Sequence, residues 1–261
     1  MRRAELAKCL ALSILASACA KEVPIVEVQG ACGGVFKGQV CTWARTKGDS
    51  LLDVGAVVPI ASIEGAPGDA MPAWPPVAEA KLKLPDAVQS KTGLTQLTVF
   101  WEAMGHPPMQ FMTPHFDFHF YLTPIGEEMT YSCKDLSKPA ALPDGYTLPD
   151  QELPPDMAKM MGVSTLVGIC VPTMGMHSLP TSEMERKDTF HGDMVVGYYG
   201  AKPIFIEPML TKAMLMEKKS FDLPIPTIPG LTSIYPRTFH AVWDDKGQTY
   251  RFAFSGFAPG A

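Results

Sequence analysis

The segment 115–122 constrains the fold more than any other part of the chain, because its side chains alternate strictly between two chemical types. The polar positions are His115, Asp117, His119 and Tyr121, and the apolar positions are Phe116, Phe118, Phe120 and Leu122. A period of two is typical of a β-strand with one buried face. We therefore predict a strand whose aromatic face packs in a core and whose opposite face presents groups that can bind metals or transfer protons.

The rest of the chain favours a mainly β fold, either a β-rich barrel or a sandwich-like α+β arrangement with a few short helices. The segment 94–102 has the β-branched and aromatic content of a strand, and 51–63 resembles a pair of strands. The segments 238–243 and 249–254 flank a turn-forming Asp-Asp-Lys-Gly sequence and predict a hairpin. The 25 prolines and 22 glycines in 261 residues argue against an all-helical bundle.

Two short helices and one long surface loop complete this interpretation. A helix is expected at 156–161, and another is expected to begin at Glu207, because Pro208 suits a first helical turn. The proline-rich segment 137–156 is expected to be a loop.

The N-terminus resembles an export signal. A basic start precedes an apolar stretch at 9–18 that is too short to span a bilayer, which indicates a signal peptide at 1–18. Cys19 follows small residues, as the lipidated cysteine of bacterial lipoproteins does. Cleavage to a soluble protein and the absence of processing remain alternatives. We expect an exported protein, either periplasmic or an outer-membrane-anchored lipoprotein, with an irregular tether at 19–50 and a single β-rich domain at 51–261.

Four cysteines remain beyond Cys9 and Cys19, and an even number in an exported protein indicates two disulfides. The favoured pairs are Cys32 with Cys41, around a glycine-rich loop, and Cys133 with Cys170. Free buried thiols are the alternative.

Charge excludes one class of partner. The chain has 22 basic and 27 acidic residues and a formal net charge of -5, so it lacks the basic footprint of a nucleic-acid-binding protein. The sequence leaves open whether the chain is a homo-oligomer, and it names no small-molecule ligand.

The polar face of the 115–121 strand predicts a divalent metal site. In an extended strand His115 and His119 are about 13 Å apart, so a His–Asp pair is the natural unit for one ion. Further ligands must come from elsewhere. The predicted ligands are His115, Asp117, His119, His177 and Glu207, with His106, His191 and His240 as further candidates.

Histidine and carboxylate ligands suit Zn, Fe, Mn or Cu. His177 is expected on a loop and Glu207 at a helix start, both within about 8 Å of Asp117, since ligands of one ion lie close together. Asp117 or Glu207 would serve as the catalytic base beside a metal-activated water. A metal-free pocket and a purely structural polar network are the alternatives.

Methionines near these histidines allow a second interpretation. Met104, Met109, Met112, Met174 and Met176 lie next to His106, His115 or His177. Thioether sulfur is a soft ligand that suits copper. Packing of methionine into irregular core gaps is the favoured interpretation, because no dense methionine array is present.

Four motifs resemble one family. They are GHPPM at 105–109, PHFDFHFY at 114–121, MGMH at 174–177 and YGAKPIFIEPM at 199–209. Together they are similar to a family of exported bacterial proteins known as domain of unknown function 5602, over about 90–220. The resemblance implies that the four motifs form one site, and it supplies no reaction.

Three classes of function follow from the sequence. The first is a metal-dependent extracytoplasmic enzyme, and the second is a non-catalytic protein that binds a metal or a small ligand. The third is a structural envelope protein whose polar face is only a hydrogen-bonded network. Motifs for serine hydrolases, nucleotide-binding loops and zincins are absent from the sequence.

Overall fold

The computed structural model describes residues 22–71 and 73–259. The predicted signal peptide at 1–18 and Cys19 lie outside the described residues. No helix in the described part of the chain combines the length and apolar composition needed to cross a bilayer.

The described residues form a mainly β structure with fifteen strands. The strands are β1 (Ile25–Val35), β2 (Gly38–Lys47), β3 (Ser50–Pro59), β4 (Ala80–Lys83), β5 (Gln96–Glu102), β6 (His115–Tyr121), β7 (Tyr146–Thr147), β8 (Gln151–Glu152), β9 (Thr165–Leu166), β10 (Met176–Pro180), β11 (Gly192–Tyr199), β12 (Lys202–Thr211), β13 (Phe221–Pro224), β14 (Thr238–Asp244) and β15 (Thr249–Ser255).

The helices among these residues are all short. The α-helices are α1 (Ile60–Glu64), α2 (Asp86–Thr92), α3 (Pro155–Met161), α4 (Thr181–Met184) and α5 (Lys212–Met216), and the 3₁₀ helices are Met109–Phe111, Glu127–Thr130 and Val167–Ile169.

Two large antiparallel sheets form a sandwich-like arrangement and not a closed barrel. The first sheet has the order β1-β2-β3-β15-β14-β13, and the second has the order β4-β5-β6-β12-β11-β10-β7. The small β8-β9 ladder stands apart from both. This confirms the predicted fold class in its sandwich-like form.

The aromatic face of β6 packs in the core between the sheets. The rings of Phe118 and Phe252 have centroids 5.0 Å apart, and those of Phe120 and Phe254 are 4.7 Å apart. Because β15 belongs to the first sheet, these contacts join the two layers. The alternation of β6 therefore fixes which face of the second sheet looks inward.

The other face of the second sheet, here called the outer face, is also buried. Every residue of β5 and of β6 is buried. A second apolar cluster covers this face, in which Phe111, Tyr131, Ile169 and Phe190 from the connecting segments pack on Phe205 and its neighbours. The polar row of β6 is thus enclosed by loops and is not exposed to solvent.

The N-terminal expectation was wrong in its local structure. The segment 19–50 was expected to be irregular, yet β1 and β2 occupy most of its described part, β1 pairs with β2, and β2 pairs with β3. Glycine here serves close packing. A Cβ on Gly30 would lie 2.3 Å from Thr42 Oγ1, so the side-chain-free residue admits the Thr42 hydroxyl.

The expected strand pair at 51–63 is a single strand followed by a helix, β3 and α1. The helix expected at Glu207 was also wrong, because Glu207 and Pro208 lie inside β12. The helix begins instead at Lys212, where Thr211 caps it by accepting a hydrogen bond from the Met214 amide.

The remaining element predictions hold. The strand at 115–121 is β6, the strand at 94–102 contains β5, and the short helix at 156–161 is α3. The C-terminal hairpin is β14 and β15. The loop expected at 137–156 is mostly irregular and carries the two-residue strands β7 and β8.

Two disulfides join Cys32 to Cys41 and Cys133 to Cys170, the pairs favoured by the sequence. The first links directly opposed residues of β1 and β2. The second ties together two segments that cover the outer face. Disulfides of this kind indicate an oxidising, extracytoplasmic environment.

Candidate metal centre

Strand register gathers the polar residues on the outer face. Residues that face each other across an antiparallel ladder point to the same side of the sheet. Glu102 of β5 and Thr211 of β12 flank His115, and Met209 of β12 lies opposite Asp117. The same register places Glu207 beside His119.

His177 reaches this face from β10 through two steps of the ladder. It lies opposite Gly197 of β11, which in turn lies opposite Phe205 of β12. Both His177 and Glu207 therefore come from strands, and the expected loop and helix start were wrong. Pairing between distant strands, which single-segment patterns do not encode, brings them to β6.

One group of potential metal ligands, here called the first triad, consists of His106, His115 and Asp117. Asp117 Oδ1 lies 3.3 Å from His115 Nε2, and Asp117 Oδ2 lies 3.7 Å from His106 Nε2. His106 comes from the loop after β5 and is partly exposed, whereas the other two side chains are buried. The carboxylate thus presents one oxygen to each imidazole.

A second group, here called the second triad, consists of His119, His177 and Glu207. His119 Nε2 lies 3.3 Å from Glu207 Oε2, and the rings of His119 and His177 have centroids 5.8 Å apart. All three residues are buried. This triad is drawn from three strands of one sheet and is therefore held rigidly.

All four imidazoles are oriented through Nδ1. The Nδ1 atoms of His106, His115 and His177 contact the backbone oxygens of Pro107, Thr113 and Ile169 at 2.8, 2.7 and 2.9 Å. A carbonyl can only accept, so each of these rings donates Nδ1–H, and Nε2 is the nitrogen that carries the lone pair when the ring is neutral.

The Nδ1 atom of His119 is held by a hydroxyl group instead of a carbonyl. Its Nδ1 lies 3.3 Å from Tyr121 Oη, and that hydroxyl donates in turn to the Thr173 carbonyl at 3.5 Å. The Tyr121 oxygen is thereby left to accept from the ring. Imidazoles that bind metals are commonly held in this way, with the second ring nitrogen fixed by an outer partner.

The atoms at the centre of each triad lack protein partners. His115 Nε2, Asp117 Oδ1, His119 Nε2 and Glu207 Oε2 are buried and have no hydrogen-bond partner in the described structure. Buried polar atoms are nearly always satisfied, so unpaired atoms that converge on one point call for a group between them. Two imidazoles and a carboxylate in each triad fit a divalent cation.

The two imidazoles of the second triad have lowered pKa values, which favours metal binding. Burial lowers the pKa of His119 to about 4 and, together with the neighbouring His119 ring, lowers the pKa of His177 to about 3. Both rings are therefore neutral near pH 7, the form that binds metals.

The pKa values of the Glu207 and Asp117 carboxyl groups are shifted in opposite directions. Burial and the charge of Asp117 hold the pKa of Glu207 well above its usual range. Burial opposes ionisation of Asp117, but the His115 and His106 rings outweigh it and hold its pKa far below the ordinary value. The charge of Asp117 acts on Glu207, so the two triads lie close enough to influence each other electrostatically.

The pKa values of His106 and Glu102, which also lie at the site, are both raised. Burial disfavours the charged imidazole of His106, but its contact with Asp117 and the Glu102 charge raise its pKa to about 9. Burial raises the pKa of Glu102 to about 7. Glu102 was missed in the sequence because it ends an otherwise ordinary strand, and only its pairing with His115 shows its place.

A cavity of about 320 Å³ opens onto the first triad. The polar part of its lining, here called the floor, consists of the buried Glu102, Asp117 and His177 with the partly exposed His106 beside them, whereas His115, His119 and Glu207 do not line it. The first triad is thus reached through two of its members and the second through His177 alone. This asymmetry separates an accessible group of ligands from an enclosed one.

The structure divides the five ligands predicted from the sequence between the two triads. His115 and Asp117 belong to the first, and His119, His177 and Glu207 belong to the second. His106, a candidate in the sequence, completes the first triad. His240 instead pairs with Asp222 at 2.6 Å on another sheet, and His191 is exposed.

The methionines beside these histidines differ in burial. Met174 and Met176 are buried, as core packing requires, but Met104 and Met109 are 54% and 66% exposed. Core packing therefore does not explain all of them.

Comparison of the chain with protein-family models, with curated proteins and with solved structures finds no match.

Proposed function

We propose that this chain is an exported metalloprotein that binds two neighbouring divalent cations, one in each triad, and that the accessible one serves a hydrolytic enzyme. The convergence of four Nε2 atoms and two carboxylates, with every Nδ1 anchored and the central atoms unpaired, carries the proposal. The nearest polar atoms within each triad, Asp117 Oδ1 with His115 Nε2 and Glu207 Oε2 with His119 Nε2, lie 3.3 Å apart and form no well-aligned hydrogen bond, so a purely structural network would leave them poorly satisfied. The ligand types suit Zn, Fe, Mn or Cu.

The first triad supports catalysis because it offers three protein ligands and borders a cavity. Catalytic zinc sites commonly have three protein ligands and keep a further position for water or substrate. A bound divalent cation would polarise a substrate oxygen and lower the pKa of a coordinated water.

Glu102 is placed to act as the general base. Its side chain lines the cavity beside His106 and Asp117 and belongs to neither triad. Asp117 and Glu207, the bases expected from the sequence, are engaged as ligands in this proposal. Glu102 would accept a proton at its carboxylate, while the Pro107 carbonyl keeps the His106 ring oriented.

The second triad supports a different role. Only His177 of this triad borders the cavity, and His119 and Glu207 are almost fully buried, so a cation there would be less open to substrate than one in the first triad. It would hold β6, β10 and β12 together, because each of these strands contributes one of its ligands. A non-catalytic metal-binding protein is the second candidate function, because this enclosed set resembles a structural site.

The four motifs that carry the family resemblance meet at the two triads. The four motifs at 105–109, 114–121, 174–177 and 199–209 contribute all six triad residues. We propose on this basis that the chain is related to domain of unknown function 5602.

Metal analysis of the purified protein tests the proposal. We expect two equivalents of metal per chain, about one equivalent in each of His115→Ala and His177→Ala, and none in the double variant. His240→Ala is the matched control, because His240 is a surface histidine that is already paired, and it should retain both equivalents. A chain without stoichiometric metal, or triad variants with unchanged metal content, would refute the metal centre.

Hydrolysis is tested separately with the metal-loaded protein and a panel of chromogenic ester and phosphoester substrates. Glu102→Gln should retain both metals and lose at least a hundredfold in kcat, since general bases contribute about that much or more. Activity that is unchanged in Glu102→Gln would remove the base assignment. No hydrolysis of any substrate by protein with two bound metals would favour the non-catalytic candidate.

We also propose that Cys19 carries a lipid that anchors the protein to the membrane. The two disulfides support an extracytoplasmic location. Cells given a clickable fatty acid should label the wild-type protein, and Cys19→Ser should abolish the label. Persistent labelling of that variant would contradict the anchor. A homo-oligomer remains a proposal that size-exclusion chromatography with light scattering tests directly.

A further inference from the structure

The walls of the cavity above the first triad are unusually rich in methionine. Seven methionines from four segments of the described chain line it. Helix α3 contributes Met157, Met160 and Met161, and Met71, Met104 and Met112 come from other connecting segments. Met174 lies deeper, where it is 3% exposed.

Helix α3 lies at the edge of this cavity and packs little against the core. None of its residues is buried, although Met157, Met160 and Met161 occur at the i, i+3, i+4 spacing of one helix face. That spacing ordinarily marks a face that packs on a core. Here the same face borders an open space, so its apolar surface is available to a ligand.

Several of these methionines are exposed. Met71, Met104 and Met160 are 84%, 54% and 47% exposed, and all three border the same cavity. Apolar groups that cluster around a concave surface mark a binding site more often than chance exposure does. Methionine side chains are flexible and polarisable and adapt to apolar ligands of varied shape.

The charges of the cavity narrow the class of ligand. No lysine or arginine of the described residues lines it, whereas Glu102, Asp117 and Asp156 do. An anionic ligand would find no basic side chain on the methionine walls. The polar groups lie on the floor, apart from Asp156 at α3, so a ligand that fills the cavity needs one polar end and an otherwise apolar body.

The volume of the cavity further limits the class of ligand. A space of about 320 Å³ is at the small end of ligand pockets, which span roughly 300–1,000 Å³.

We propose that the cavity binds an uncharged, mainly apolar small molecule whose single oxygen-containing end reaches the floor at His106 and Asp117. This inference rests on the proposed function in taking that molecule as the substrate class of the first triad. The methionines do not form a copper site in this proposal. They share the walls with Trp74, Leu166, Ile169 and Val171, whose side chains cannot ligate a metal.

Calorimetric titration of the protein as purified with 1-octanol tests the inference. We expect saturable binding with one molecule per chain and at least tenfold weaker binding of 1,8-octanediol, whose second hydroxyl would lie among the methionines. The double variant Met157→Gln/Met160→Gln should lose at least tenfold in affinity for 1-octanol, because glutamine keeps the approximate shape of methionine but adds a polar amide. Met109→Gln is the control, since Met109 is exposed and does not line the cavity.

The same samples separate this inference from the metal centre. The double methionine variant should keep the wild-type metal content, whereas His115→Ala should lose metal and still bind 1-octanol, because His115 does not line the cavity. Absence of 1-octanol binding, or equal binding by the double methionine variant, would overturn the inference. Loss of stoichiometric copper from the double variant would also overturn it, in favour of a soft-metal site.

Discussion

The imidazole of His119 lies flat against the ring of Phe205, with centroids 4.3 Å apart and planes inclined by 9°. Phe205 is in turn packed over Gly197 of the next strand. A Cβ at Gly197 would lie 2.2 Å from the Phe205 ring atoms Cε1 and Cζ. The absence of a side chain at Gly197 thus allows the Phe205 ring to lie close to β11. Because the His119 ring stacks on Phe205, Gly197 also influences the position of this second-triad ligand.

Gly197→Ala should therefore disturb the second triad. The added methyl group must displace Phe205, and overpacking of this kind costs about 1–3 kcal/mol in the free energy of unfolding. We expect a lower midpoint in chemical denaturation and loss of one metal equivalent. Gly34→Ala is the control, because a Cβ at Gly34 has no neighbour within 4 Å. Equal effects of the two substitutions would contradict this account.

Tyr121→Phe should weaken metal binding without unfolding the protein. The substitution removes the hydroxyl that accepts from His119 Nδ1 at 3.3 Å and frees the ring to rotate. Loss of an outer partner of this type typically lowers metal affinity by about 10–100-fold. Competition with a chromogenic chelator measures the change.

Tyr146→Phe provides the comparison for Tyr121→Phe. Its hydroxyl donates to the Met194 carbonyl and touches neither triad. It should lose a hydrogen bond and keep wild-type metal affinity. A Tyr121→Phe protein with wild-type affinity would show that the hydroxyl does not orient His119.

The Cys133–Cys170 disulfide should matter for the site as well as for stability. It closes a loop of 37 residues, and the carbonyl of Ile169, next to Cys170, orients His177. Removing both cysteines should cost about 3–4 kcal/mol by the chain-entropy relation and reduce metal in the second triad.

The matched variant lacks Cys32 and Cys41, which are 9 residues apart in the first sheet. It should cost less, about 2–3 kcal/mol, and retain both metals. Thermal unfolding and metal analysis of both proteins make the comparison. A pair of variants with the same metal content would show that the second disulfide has no influence on His177.

Asp193 should make stability fall as pH rises. Burial and the nearby Glu183 carboxylate raise the pKa of Asp193 from 3.8 to about 8. Between these values the folded protein holds one proton more than the unfolded chain, so the free energy of unfolding decreases with pH. Its contribution is fully present below about pH 4 and is lost as the pH rises to about 8.

Asp193→Asn removes this titration while keeping a donor for Glu183. At pH 7.5 its free energy of unfolding should exceed that of wild type by on the order of 1–3 kcal/mol, seen as a higher unfolding temperature, and there should be no such gain at pH 4. Asp188→Asn serves as control, since Asp188 is 75% exposed and also contacts Arg186. A stabilisation by Asp193→Asn that is independent of pH would contradict the raised pKa.

The sequence alone determined the strand at the centre of the site and the chemistry of its polar face. The alternation of His115, Asp117 and His119 with Phe116 and Phe118 leaves only one orientation that buries the aromatic rings, because a shift by one residue would exchange the two faces. Local patterns of this kind also predicted β5, the C-terminal hairpin and the short helix α3.

Only the tertiary structure decided how the ligands are divided and what covers them. His106 with His115, and His119 with His177 and Glu207, meet through loop placement and pairing between strands that are distant in the chain. The same strand geometry that predicted β6 keeps His115 and His119 too far apart to share an ion, but which partners each would find depends on long-range register. Glu207 shows the limit most clearly, because Pro208 locally favours a helix start, whereas pairing with β6 and β11 holds both residues in a strand.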